Sequence, residues 1–531
     1  MKKIFTTLMF GGLIFAQAQQ TELVFVFFKD KPNKASFYAN PLSELSQKSL
    51  DRRTQKSIAL NDQDAPIEAS YIQNVKNLGF TVTDYSKWLN GVAINATPAQ
   101  IQTLQSQPYV SHVESFVRNP SGSQKALADR PNKWKNMSAN KTNFNYGEAT
   151  AQINQINLKP LHIAGYTGTG IDIAVIDTGF PTVNTGSAFK RLRDNNQIKG
   201  SYNFVSKNND IYNTALNPHG SICLGTIGGY IQNQFVGSAP DANFYLYVSE
   251  NDDVEIPEEQ LYWIEAAEEA DRKGVDLITT SLGYYIFDDS RYDYTYADMN
   301  GTTTFIARGA QIAFEKGIFI NFAAGNEGNN DWHYIITPAD NAKVFSIGAA
   351  DQFGGMATFS SYGPNSAGVI KPDACARGLF TATVLNNDVT EASGTSLANP
   401  LAAGGVASLL QALPKSVNLV DVQNKLRGNA SLANTPTDQE GYGILNFGKT
   451  YNQFLATENI KTTNFSIYPN PAKGFIEVKS SDKIQSIQIY DNIGRLILTS
   501  KSSKIDVSTL ENAVYYLKIN DNTKVEKFIK N

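Results

Sequence analysis

The chain has 531 residues, of which 41% are hydrophobic and 18% charged, and a formal net charge of -4. That length suggests roughly two to four domains, and the composition excludes a disordered chain. So small a net charge, without Lys/Arg blocks, leaves no electrostatic footprint for a nucleic-acid partner. In chain order, Lys2 and Lys3 precede an apolar run from Ile4 to Phe15 and an "AQA" at Ala16–Ala18. This is the layout of a secretory signal peptide cleaved after Ala18. The run is shorter than the roughly 20 residues a membrane span needs, so no stable membrane insertion is expected.

"TELVFVFFKD" then reads as a buried strand and "LSELSQKSLDRRTQKSI" as polar helical text. "SYIQNVKNLGF" is an amphipathic helix ending at Gly79, and "GVAINA" and "VSHVES" are strands. Between them "TPAQIQTLQSQ" is a helix with Thr97 as cap and Pro98 in its first turn. This small α+β unit ends near Val117, and the text to about Asn145 has linker composition. From Tyr146 onward, the apolar runs "IDIAVID", "ANFYLYV", "VDLITTSLG", "GIFINFAAG" and "VFSIGAA" alternate with helical stretches such as "LYWIEAAEEADRKG" and "TTTFIARGAQIAFEKG". That alternation predicts an α/β fold with a mostly parallel sheet and helices on both faces, its ligand site at the carboxyl ends of strands. The last unit, from about Asn464, has short alternating segments broken by "NPAKG" and "DNIGR" turns and reads as a small β-sandwich.

Four histidines, at 112, 162, 219 and 333, limit the choice of a general base. His219 stands apart because it opens "HGSICLGTIGG", a small-residue helix starting at His219 itself. Asp177 ends the strand "IDIAVID" and is followed by a Thr-Gly turn, whereas Asp276 and Asp373 lie at no strand's carboxyl end. Ser396 sits in "EASGTSLANP", where a helix cap and a nucleophile are both readable. Asp177, His219 and Ser396 together supply an orienting carboxylate, a base and a hydroxyl, and Asn326 in "NFAAGNEGNN" offers an amide to an oxyanion. Cys223 and Cys375 are the only cysteines, and the sequence leaves open a bridge or two buried thiols.

"AVIDTG", "HGSICLGTIGG", "SLG", "AAGNEG" and "GTSLANPLAAG", in that order, resemble the motif series of the subtilisin-like serine proteases. The resemblance implies a secreted serine endopeptidase with Asp177, His219 and Ser396 as triad and Asn326 as oxyanion donor. It assigns Ser281, Leu282 and Gly283 to pairing with substrate backbone, and Ala323, Ala324 and Gly325 to one wall of the primary specificity pocket. Leu397 and Cys223 depart from the commonest family residues without touching a catalytic group. The resemblance implies no cofactor for catalysis and no catalytic metal, and is compatible with structural calcium, although no EF-hand spacing is present.

The first unit resembles a subtilase propeptide, and the last, with "YPNPAKGFIEV" and "VEKFIKN", resembles the sorting domains of Bacteroidetes type IX exported proteins. The expected organisation is a signal peptide at 1–18, propeptide at 19–118, linker at 119–145, catalytic domain at 146–456 and sorting domain at 462–531. Expected partners are polypeptide substrates, the chain's own propeptide and the type IX machinery, and the expected location is outside the cell or on its surface. Two alternatives stand beside this reading: a maturation protease with one dedicated partner, or an inactive surface binding protein. The acid-rich stretch from Glu250 to Asp271 is expected to be a solvated helix face, with a preference of Asp252, Asp253 or Glu255 for basic substrate residues as the rival idea.

Overall fold

A computed structural model of the chain describes residues 20–125, 146–458, 465–480, 483–492, 494–520 and 525–531. The expected signal peptide, and the expected linker from residue 126 onward, lie outside the described residues. The chain divides into two units, Met1–Gly448 and Lys449–Asn531.

The first unit opens with a four-stranded antiparallel sheet of β1 (Glu22–Phe28), β2 (Asp84–Ser86), β3 (Gly91–Ala96) and β4 (Val110–Ser115), in the order β2-β3-β1-β4. With it go a short helix, Lys34–Ala39, and three longer ones, α1 (Gln47–Gln55), α2 (Ala69–Asn77) and α3 (Pro98–Gln105). Thr97 caps α3 in a capping box with Gln100, as its sequence predicts. Strand side chains alternate between faces. Val24, Val26 and Phe28 of β1 join Val92, Ile94, Val75 and Leu104 in one small core. Phe25, on the opposite face, is fully buried against Phe305, with ring centroids 5.7 Å apart. A run apolar on both faces therefore marks a strand covered on both sides.

Phe305 belongs to the larger part of the same unit, whose sheet has seven parallel strands. They are β5 (Asp172–Asp177), β6 (Ile198–Asn203), β7 (Asn243–Val248), β8 (Leu277–Thr280), β9 (Phe319–Ala323), β10 (Phe345–Ala350) and β11 (Ala374–Arg377). Their spatial order is β11-β10-β9-β8-β5-β7-β6, with Ile176 level with Thr280, and Thr280 level with Phe322. Five of these strands match the apolar runs read from the sequence; β6 and β11 were not anticipated. The main helices are α4 (His219–Gly228), α5 (Glu259–Lys273), α6 (Phe305–Glu315) and α7 (Thr395–Ala412). The chain returns from β7 to the far side of β5 to form β8, so the sheet reverses its winding around β5. The carboxyl ends of β5, β8 and β9 lie next to that switch point, where an open α/β sheet leaves a crevice.

The solvated face expected on α5 is corrected. Glu259 and Asp271 are fully buried and Glu268 nearly so. Glu268 accepts hydrogen bonds from Ser86 Oγ at 2.6 Å, Trp88 N at 3.0 Å and Lys87 N at 3.2 Å. Asp271 meets Arg52 and, at 2.7 Å, Arg53 of α1, and Arg53 also reaches Asp64 at 2.7 Å. The acids of α5 thus form the seat of the N-terminal part of the unit.

The second unit consists of a three-stranded sheet (Phe465–Tyr468, Phe475–Ser480, Lys504–Asp506) and a four-stranded one (Leu496–Ser500, Ile487–Tyr490, Ala513–Ile519, Val525–Lys530). Ile476, Val478, Ile487, Ile489, Leu517 and Phe528 meet in its core.

Candidate active site

Asp177 is the last residue of β5 and His219 the first of α4. His219 starts a helix because Asn217 accepts its backbone N–H at 2.9 Å and Pro218 precedes it. Asn217 also binds Asp252 Oδ2 at 2.6 Å, so that acid helps fix the turn before His219. The helix must approach the strand end closely: a Cβ on Gly220 would lie 2.4 Å from Gly179 O and 3.0 Å from Asp177 Cβ. Glycine at 220 allows His219 Nδ1–H to donate to Asp177 Oδ1 at 2.6 Å. Asp177 Oδ1 also accepts Thr178 N–H at 2.8 Å. Both side chains are buried, at 1% exposure. Burial alone would lower the His219 pKa, but the Asp177 carboxylate outweighs it and holds the imidazole well above its ordinary value.

Ser396 is the second residue of α7, and Gly394 is the N-cap, so the cap reading of Ser396 is corrected. As the second helical residue its backbone N–H has no intrahelical acceptor. Its carbonyl is held in an unusual way. In a regular helix Ser396 O would accept from residue 400, but Pro400 has no N–H. Ser281 Oγ donates to it instead at 3.1 Å and Cys223 Sγ at 3.3 Å. Cys223 Sγ is also 4.0 Å from His219 Nε2, so one sulfur touches both the His219 ring and the Ser396 backbone, and the expectation that Cys223 touches no catalytic group is corrected. One helical turn from His219, it forms part of the floor on which both rest.

Asn326 follows β9 in a turn that requires glycine: Gly325 has φ +111°, and a Cβ there would lie 2.7 Å from Ser361 Oγ. Asn326 Oδ1 accepts from Thr395 N at 2.9 Å and Thr395 Oγ1 at 3.0 Å. With its oxygen so engaged, the amide has its Nδ2 hydrogens left to donate. Thr395, the residue before Ser396, thereby couples Asn326 to the start of α7. Asn399 ties the same helix to the sheet through Thr279 Oγ1 at 3.0 Å, Thr280 O at 2.9 Å and Asn321.

Ser281, Leu282 and Gly283 continue β8 beyond its carboxyl end, and Ala323 ends β9 with Ala324 and Gly325 following it. Ala323 and Ala324 are buried, and Ala324 is bonded through its own N–H to Ile347 O at 3.0 Å. The predicted site residues therefore fall at the carboxyl ends of β5, β8 and β9 and the starts of α4 and α7. Asn217, Thr395, Asn399 and Pro400 were missed by sequence reasoning. Pro400, four residues after the candidate nucleophile, is the one whose meaning was readable in advance. Cys223 and Cys375 are separate, buried thiols.

Among the described residues, Asp177, His219 and Cys223 bring three potential metal-binding atoms within 4.8 Å. The short Asp177–His219 hydrogen bond would have to break before both atoms could hold one ion. The set is suited to moving a proton.

The Asp177–His219 pair and the helix-borne Ser396 thus stand at the carboxyl ends of the strands of one parallel sheet. The sequence profile of the Subtilase family matches residues 168–444, and the chain belongs to that family. Residues 23–133 match the peptidase S8 propeptide domain of Bacteroidota, and residues 466–531 match the secretion system C-terminal sorting domain. The minor extracellular protease Epr of Bacillus subtilis (strain 168) is 25% identical over 519 residues, covering 92% of this chain and 66% of Epr. Serine protease AprX of the same organism is 29% identical over 278 residues, covering 47% of this chain and 58% of AprX. Alkaline elastase YaB of Bacillus sp. (strain YaB) is 30% identical over 302 residues, 55% of this chain and 68% of YaB. The chain thus spans less than two thirds of Epr and AprX. In fold it is similar to the epidermin leader peptide processing serine protease EpiP of Staphylococcus aureus. That likeness has a TM-score of 0.55 at 18% identity and covers 82% of this chain and 98% of EpiP.

Proposed function

We propose that this chain is an exported serine endopeptidase that cleaves polypeptides through an acyl-enzyme intermediate. The reading rests above all on the buried 2.6 Å contact of His219 with Asp177, and with it on a serine whose helix start is wired to Asn326 through Thr395. His219 Nε2 takes the proton of Ser396 Oγ as that oxygen attacks the scissile carbonyl carbon. The resulting oxyanion accepts hydrogen bonds from Asn326 Nδ2 and the Ser396 backbone N–H. His219 then passes the proton to the leaving amine, the C–N bond breaks, and the acyl group stays on Ser396. Water attacks the ester, giving its proton to His219, which returns it to Ser396 Oγ. Asp177 holds the Nδ1–H tautomer throughout and stabilises the imidazolium. Substrate backbone lies along Ser281, Leu282 and Gly283, and the side chain before the cut packs against Ala323, Ala324 and Gly325. The cycle needs no cofactor.

In this reading residues 1–18 direct export and 19–118 form a propeptide that occupies the catalytic domain (146–456) until it is cut within 119–145. Residues 462–531 carry the chain through the type IX machinery. Among the described residues no helix is long and apolar enough to cross a membrane. Incubating the purified protein with casein, beside Ser396→Ala, tests the proposal. Hydrolysis by the parent, lowered roughly 10⁶-fold in the variant, is expected. Hydrolysis that survives the substitution, or none by the parent, contradicts it.

A further inference from the structure

The ladder between β8 and β9 ends where Thr280 is level with Phe322. Beyond it, Ser281–Gly283 and Ala323–Gly325 are joined instead through a third piece of chain, Ile336–Thr337. Ile336 N donates to Ala324 O at 3.3 Å on one side. On the other, Tyr284 N donates to Thr337 O at 3.0 Å and Thr337 N to Tyr284 O at 3.2 Å. Thr337 Oγ1 is further tied to Thr304 Oγ1 at 2.6 Å.

The side chain of Ile336 fills the slot that this arrangement leaves between Gly283 and Gly325. A Cβ on Gly283 would lie 2.7 Å from Ile336 Cδ1 and 2.8 Å from its Cγ1. A Cβ on Gly325 would lie 3.0 Å from Ile336 Cγ1 and 3.1 Å from its Cδ1. The same two carbons cover both glycines, so the ethyl arm of Ile336 lies between the two backbone faces. Only 7% of Ile336 is exposed. A β-branched side chain has few rotamers, and the backbone beneath this one is pinned from both sides, so the arm has little freedom to swing away.

We propose that Ile336 sets the size of the substrate side chain taken immediately before the cut, restricting it to Gly, Ala or Ser. The inference rests on the endopeptidase reading above, in which that side chain packs against Ala323–Gly325 and the substrate backbone runs along Ser281–Gly283. Glycine at 283 and 325 makes both walls of the slot bare backbone, so the length of residue 336 decides how much room remains. A longer substrate side chain entering between them meets Ile336 Cγ1 and Cδ1, and a close-packed site yields little to such overlap. Ile336→Ala removes the carbons beyond Cβ, as many as Leu carries in excess of Ala. A Leu substrate on that variant therefore fills the slot as an Ala substrate does on the parent.

The test uses the processed protein recovered from expression of the full chain and quenched fluorogenic peptides built on one casein site that it cuts. The peptides are identical except for Ala or Leu immediately before the cut. In the parent, kcat/KM for Ala should exceed that for Leu by about tenfold or more, the scale on which a pocket rejects extra methylenes. In Ile336→Ala the order should reverse, with Leu preferred by about tenfold. Ile336→Val, which removes Cδ1 alone, should move the ratio the same way by a smaller factor, and it carries the test should the Ala variant not fold. Loss of folded protein lowers both values alike, so the ratio reports the slot. A parent that cuts the Leu peptide as well as the Ala peptide, or a ratio unmoved by shortening Ile336, overturns the inference while leaving the protease reading intact. Failure of the parent to cut casein or any peptide overturns both.

Discussion

His219 carries the most revealing balance of forces at the scale of single residues. Desolvation disfavours its charge, and Asp177 at 2.6 Å favours it by more, so its pKa lies well above the ordinary 6.5. A base must be neutral to take the Ser396 proton, so kcat/KM should rise with pH along a one-proton limb whose midpoint lies above 6.5. In Asp177→Asn the carboxylate is lost, and burial is opposed only by the smaller influence of Cys223. The limb should move to lower pH while the rate falls about 10⁴-fold, the scale found when a triad carboxylate becomes an amide. A pH profile of kcat/KM for the two proteins checks this, and a limb that stays in place contradicts the assigned pairing. Much at this scale was legible in advance: Asp177 at a strand end, His219 at a helix start and Asn326 between glycines. The support of Ser396 was not. Its carbonyl depends on Ser281 and Cys223, donors distant in sequence, brought in because Pro400 cannot donate.

Elements were legible where one face or both were continuously apolar. β5, β7, β8, β9 and β10 are such runs, buried over nearly their whole length. β6 reads "IKGSYN" because it is an edge strand with mostly half-exposed residues, and β11 reads "ACAR" because it is short and filled with small side chains. Neither offers a hydrophobic period. α5 misled for a different reason. Its acids look like a solvated face, but their partners Arg52 and Arg53 lie some two hundred residues earlier, beyond the reach of any local pattern. Asp271, itself fully buried, is held below the usual carboxylate range by those arginines against its own burial. Asp271→Ala would leave two buried guanidinium groups short of a partner, a loss of about 3–5 kcal/mol. In the uncleaved chain, checked by its mass, this substitution should markedly lower the thermal midpoint. An unchanged midpoint would mean that the cluster does not hold α1 on α5.

At the scale of the whole molecule, three family matches follow one another along the chain, over 23–133, 168–444 and 466–531. They agree in order with the composition shifts read from the sequence: a small α+β unit, a parallel α/β sheet and a short-stranded β unit. The sheet reversal around β5 brings Asp177, Asn326 and Ser396, far apart in sequence, to strand ends and a helix start on the same edge of the sheet. Each stands at a strand end or helix start beside the same crevice, and motif order along the chain could not by itself supply that geometry. The central claim is that Ser396 is the nucleophile. Treating the processed protein with diisopropyl fluorophosphate and mapping the phosphorylated peptide by mass spectrometry tests it most directly. The account predicts one label, on Ser396, with stoichiometric loss of activity and no labelling of His219→Ala. A label on another serine, or full inactivation with Ser396 unmodified, would contradict it.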